Sequence, residues 1–181
     1  MNDISGNDIV SVIIDGFVIF GGILPYYPQY VKIKKEAVLE GFSPHVCLIL
    51  LVANILRIAF RIGKYFPLPL LLQSFVMIAI MLIMVYEISK KSRKDGEFPQ
   101  ELFVVSNFWN WSTMTSYLAC TSGFAALSFL TAYSFKDLPP VIEVIGFISL
   151  ILESLLALPQ FYRNYTNKST EGMSISTDKI R

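Results

Sequence analysis

Asn54, Arg57 and Arg61 lie at i, i+3 and i+7 in an otherwise apolar stretch, a spacing that puts all three on one helix face. Arg61 falls near the end of that stretch, where its long stem lets the charge reach water, and Lys64 follows it. Arg57 falls about one turn deeper. A guanidinium at that depth is costly unless it faces a cavity or a partner, and its planar fork suits a phosphate or a carboxylate. Two acids, Asp15 and Glu153, are also deep in apolar stretches, and Glu143 is nearer an end. Each deep acid reads either as a proton or cation site or as a structural partner of Arg57. Arg61 and Lys64 read as anchors, and Glu87 as an interfacial residue.

A second constellation is a doubled Pro-Gln. The run Gly22-Ile-Leu-Pro25-Tyr-Tyr-Pro28-Gln29-Tyr30 returns as Leu158-Pro159-Gln160-Phe161, 131 residues later. The match continues without a gap: Lys32 with Arg163, Glu40-Gly41 with Glu171-Gly172, Ser43 with Ser174. That length of agreement is an internal repeat. A proline inside a helix removes a hydrogen bond and frees backbone acceptors, and the adjacent glutamine adds two donors and an acceptor. Broken helices of this kind line transport paths and act as hinges; the alternative is a fixed kink that shapes the bundle. Pro25, Pro28, Gln29, Pro159 and Gln160 are therefore the hinge residues to follow.

The elements that position these groups are apolar helices. The 181 residues are 54% hydrophobic and 16% charged, against about 25% charged in soluble chains. Five spans are predicted, at 9–31, 45–63, 68–89, 104–134 and 139–163, each approaching or exceeding the roughly 20 residues a bilayer requires. A polar linker occupies 90–100, and the polar tail after 163 carries no further span. Residues 1–8 contain two Asp and no Lys or Arg, so the first helix is expected to serve as an uncleaved insertion signal. With the N-terminus luminal and the C-terminus cytosolic, eleven of the fifteen basic residues lie on the cytosolic side, as the positive-inside rule requires. The sequons Asn164-Tyr-Thr166 and Asn167-Lys-Ser169 are then cytosolic and bare.

The fourth span is rich in small polar groups: Ser106, Asn107, Asn110, Ser112, Thr113, Thr115, Ser116, Thr121, Ser122 and Gly123. Such residues let membrane helices approach closely and bond across the interface; a solute path is the alternative. Trp109 and Trp111 suit an interfacial aromatic belt. His45, beside Pro44, is a structural residue or a pH sensor. Cys47 and Cys120 sit in apolar runs and do not suggest a disulfide framework. The sequence holds no metal-ligand cluster, phosphate-binding glycine loop or nucleophile triad, so an enzyme and a cofactor are not expected. Nothing points to nucleic acid.

The doubled motif resembles the PQ-loop repeat proteins, solute carrier family 66, in the wider clan of SWEET sugar transporters and cystinosin. Pro25-Tyr-Tyr-Pro-Gln-Tyr30, Glu40-Gly-Phe-Ser-Pro-His-Val-Cys47 running on to Arg57, Leu158-Pro-Gln-Phe-Tyr-Arg-Asn164 and Ser169-Thr-Glu-Gly-Met-Ser174 carry the likeness. The resemblance implies seven helices in two three-helix bundles joined by a linker helix. Against that pattern the chain is expected to be an all-α integral membrane protein with five transmembrane helices. The first bundle would occupy 1–89, the linker and linker helix 90–135, and the opening helix of an incomplete second bundle 136–181. A truncated isoform or gene model is the expectation that follows.

The resemblance further implies endosomal or trans-Golgi membranes, phospholipid translocation and endosome-to-Golgi retrograde transport. Two other readings stay open: a proton-coupled carrier of amino acids or other small solutes in endolysosomal membranes, working through Asp15 or Glu153, and a regulatory partner of a full-length form. The expected partners are membrane lipids, a second copy of the chain or that full-length form.

Overall fold

The computed structural model describes residues 6–35, 44–95, 108, 109, 111 and 113–167, and every regular element among them is a helix. Gly6–Gly21 forms α1 and Tyr26–Lys35 forms α2. A single span over 9–31 was expected; the structure breaks it at 22–25. Gly21 and Gly22 are poor helix formers, and Pro25 brings no amide N–H to the turn. Short-range bonds still join the two pieces, from Ile23 N–H to Phe20 O at 3.0 Å and from Tyr26 N–H to Ile23 O at 2.9 Å. Pro28 consequently sits in the first turn of α2, where an amide N–H would have no intrahelical partner in any case.

Pro44–Phe60 forms α3, Leu68–Asp95 α4, Met114–Ser134 α5 and Pro139–Asn167 α6. Proline marks three of these starts, at Pro44, Pro69 and Pro139-Pro140, where its fixed φ suits the first turn. α4 runs on through 90–95, the beginning of the expected polar linker. α5 starts at Met114 rather than 104, and α6 passes through Pro159-Gln160 without interruption. Among the described residues one segment, Leu68–Lys91, is long and apolar enough to cross a membrane by itself; Val10–Gly21 and Pro44–Phe60 are apolar but shorter.

α3 is the central helix. It packs against α4 on one side and α6 on another, with α5 alongside, while α1 and α2 lean on α4. The main core joins Cys47, Leu50 and Leu51 of α3 to Met77, Met81, Met84, Val85 and Ile88 of α4. Met77, Met81, Met84 and Ile88 recur at steps of four, three and four residues, the spacing of one helix face, with Val85 beside them. A smaller core joins Ala59, Ala132 and Ile142, from α3, α5 and α6. Cys47 and Cys120 are both free thiols.

Trp109 and Trp111 are not an interfacial belt. They are 1% and 2% exposed and belong to the main core. Tyr117, in the first turn of α5, donates its hydroxyl to Trp109 O at 3.1 Å and accepts from the Trp111 backbone N–H at 2.9 Å. Both indole rings stand edge-on to its ring, with centroids 5.0 and 5.1 Å away. The two bonds pin the entry to α5 although Trp109 holds φ 66, a left-handed conformation a bulky residue seldom adopts.

α5 also differs from the expected close-approach helix. Ser122 and Thr131 bond to carbonyls of their own helix, Ala119 O and Leu127 O, and a β-carbon on Gly123 would meet open space. Ser116 and Ser128 are its buried serines. Ser106, Asn107, Asn110 and Ser112 lie outside the described residues, as do the repeat tails at 40–43 and 171–174.

Candidate functional site

The seam between α3 and α6 gathers most of the predicted chemistry. Gly63 lies against Ile142, Phe60 against Gly146, and Ser149 Oγ donates to Ala53 O at 2.8 Å, so the two helices run antiparallel. The approach is close: a β-carbon on Gly146 would stand 2.8 Å from the Phe60 ring, and one on Gly63 2.5 Å from Ile142. Ile142, Gly146, Ser149 and Glu153 recur at steps of four, three and four residues, the face α6 turns to α3. Away from that face Val144, Ile148 and Ile151 are exposed.

Arg57 donates to Glu153 across this seam in an ion pair. The side chains are 18% and 27% exposed, so each charge is largely withdrawn from water and needs the other. Of the two acids that sequence allowed as partners of Arg57, the fold selects Glu153. Asp15 goes elsewhere: α1 packs on α4, and among the described residues it makes no contact with α3 or α6.

Toward the mouth of the seam, Lys64 Nζ meets Glu143 Oε1 at 3.2 Å. This pair is 58% and 62% exposed and so contributes little to stability. Arg61 turns away, donating to Phe66 O and resting 5.7 and 5.3 Å from the Tyr65 and Phe66 ring centroids. It pins the α3–α4 connection rather than reaching into the seam.

Between the two ion pairs opens a cleft of about 470 Å3, within the size range of small-molecule sites. Arg57, Lys64 and Glu143 supply its charge; Phe60, Phe66, Leu70, Phe147 and Leu150 supply apolar wall. Asn54 does not line it. It is 1% exposed, donates Nδ2 to Leu50 O at 2.8 Å, and leaves Oδ1 buried without a partner among the described residues. Sequence reading missed the Lys64–Glu143 pair, Ser149, Gly146 and Phe147. The small pair Gly146 and Ser149, three residues apart in an apolar helix, was the available signal for a helix contact.

The two Pro-Gln copies differ locally. Pro25 and Pro28 are exposed at the α1–α2 break, whereas Pro159 and Gln160 lie well inside α6, with side chains outside the described set. Gln29 is partly buried and its Oε1 has no partner among the described residues. Ile23, Tyr26, Tyr27 and Tyr30 face Ile80 and Ile83 across a groove of about 260 Å3 beside it. Because Pro28 occupies a first-turn position, Pro28→Ala is expected to change unfolding stability by less than about 1 kcal/mol. Chemical unfolding in detergent checks this, and a larger loss would show that the ring itself holds the break together.

No solved structure matches the chain. The PQ loop repeat matches it twice, at residues 10–70 and 141–177, one match over each Pro-Gln copy. Because these two stretches cover more than half of its residues, the chain belongs to the PQ-loop repeat family of transporter-like membrane proteins.

Proposed function

We propose that this chain is a non-enzymatic, multi-pass membrane protein that lets phospholipid pass between leaflets in endosomal and trans-Golgi membranes, in support of endosome-to-Golgi retrograde transport. The observation that carries the translocation reading is the cleft between α3 and α6. Charged groups line it together with an apolar wall, which is the pairing an amphiphile needs to move a polar end past a hydrocarbon layer. The compartment rests on the family resemblance. In this reading five segments cross the bilayer, with the α1–α2 break inside the first. The surplus of Lys and Arg on one side supports a cytosolic C-terminus, and the proposed partners are membrane lipids.

The α1–α2 break supplies a hinge in the first repeat, and the seam supplies the surface along which the second-repeat helix rocks. The test is leaflet exchange of a labelled phospholipid in vesicles carrying the purified chain. Exchange well above that of empty vesicles is the expected result; a rate equal to empty vesicles refutes the reading.

A proton-coupled solute carrier is the second reading. It is favoured by one observation: Glu153, a titratable group, joins α6 of the second repeat to Arg57 of the first. Uptake driven by a pH gradient and lost in Glu153→Gln would support it over lipid movement.

A further inference from the structure

We infer that the mouth of the α3–α6 cleft is a binding site for the headgroup of a zwitterionic glycerophospholipid, of the phosphocholine or phosphoethanolamine kind. The inference rests on the proposed lipid-handling role and names its substrate class. Lys64 and Glu143 stand side by side at the mouth, 3.2 Å apart and each more than half exposed. An exposed pair of this kind is weakly held, so a ligand bringing its own opposite charges exchanges partners with it at small cost. The phosphate takes Lys64, and the ammonium takes Glu143. The phosphate contact is a charge-assisted hydrogen bond, the ammonium contact is an ion pair, and no charge is left unpaired.

The deeper pair behaves differently. Arg57 and Glu153 are more withdrawn from water and remain paired, because separating them strands a desolvated charge. Arg57 lines the cleft, and Glu153, bonded to it from outside the lining, offsets its charge, so this wall adds little net pull on an anion. With Arg57 held by Glu153, the charges left for the headgroup are those of Lys64 and Glu143 at the mouth, one of each sign, a balance that disfavours lipids of net negative charge. Phe60, Phe66, Leu70, Phe147 and Leu150 line the remaining surface, and this apolar wall accepts an acyl chain.

The test uses the purified 181-residue chain in mild detergent with an equal mixture of phosphatidylcholine, phosphatidylethanolamine and phosphatidylglycerol. Retained lipid is read by native mass spectrometry. The unaltered chain is expected to retain the two zwitterionic lipids at least threefold over phosphatidylglycerol. Glu143→Gln frees Lys64 from its acid and is expected to reverse that preference toward phosphatidylglycerol. Lys64→Ala is expected to lower retention of all three. Both positions are exposed, so neither substitution removes a core contact, and an unchanged unfolding midpoint confirms it. Soluble phosphocholine at the same concentration is expected to leave the lipid in place; displacement by it would overturn a lipid-specific site.

An unchanged preference in Glu143→Gln would also overturn the assignment. Leaflet exchange measured on the same preparation separates the two ideas. Headgroup preference that shifts as described, without any exchange, sinks the translocation reading and keeps the site. Exchange with no shift in preference keeps translocation and sinks this site.

Discussion

Arg57→Ala is expected to lower the stability of the folded chain by about 2–3 kcal/mol, less than the loss for a fully buried pair because both partners keep some exposure. The substitution removes the guanidinium and leaves the Glu153 carboxylate three-quarters withdrawn from water with its partner gone. The double substitution Arg57→Met with Glu153→Met removes both charges and keeps apolar volume at the seam. It is expected to cost less than Arg57→Ala alone, since no charge is stranded. Unfolding in detergent of Arg57→Met, Glu153→Met and the double variant, analysed as a double-mutant cycle, measures the coupling. Additive losses from the two single changes would show that the pair does not hold α6 to α3.

Gly146→Leu is the second large effect. The Phe60 ring already lies within 2.8 Å of where a β-carbon would go, closer than carbon atoms pack. Either Phe60 leaves its position or the helices part. Overpacking of this kind costs about 1–3 kcal/mol, and parting the helices also stretches the Arg57–Glu153 pair and the Ser149–Ala53 bond. Phe60→Ala opens space at the same point and is expected to recover part of the loss when combined with Gly146→Leu. Absence of any recovery would mean that the strain falls elsewhere than on Phe60.

Sequence made some of this legible, and particular residues show where it stopped. A deep arginine needs a partner, and that requirement alone narrowed the field to Asp15 and Glu153. Choosing between them required the pairing of helices 96 residues apart, which depends on Gly63 and Gly146 admitting a close approach. The repeated Pro-Gln was visible as a repeat, yet identical residues took different local structures. Gly21, Gly22 and Pro25 precede the first copy and stop the helix, whereas Leu155-Leu-Ala-Leu158 precedes the second and, being strong helix formers, carry α6 through it.

Trp109 and Trp111 show the opposite error. Tryptophan at the end of an apolar stretch reads as a membrane-surface residue, but Tyr117 lies one helical turn into α5 and its hydroxyl draws their backbone into the core. Asn54 and Arg57 shared a predicted face, yet the crowded position of α3 sends one into the core and the other to the seam. The pairing of Lys64 with Glu143 was not legible because an exposed pair leaves no periodic trace in sequence. Its meaning comes from the cleft behind it.

The most direct measurement of the central claim, that lipid passes at the α3–α6 seam, fastens the mouth of the cleft shut. Lys64→Cys with Glu143→Cys, in a chain also carrying Cys47→Ala and Cys120→Ala, places two reactive thiols across the opening. A short bifunctional maleimide joins them, and a monofunctional maleimide serves as the control. Leaflet exchange is then followed in vesicles. The cross-linked chain is expected to fall to the rate of empty vesicles, while the chain capped by the monofunctional reagent, its headgroup pair gone but its opening free, exchanges more slowly than the unaltered chain yet above that rate; a cross-linked chain that exchanges as fast as the capped one would contradict the account.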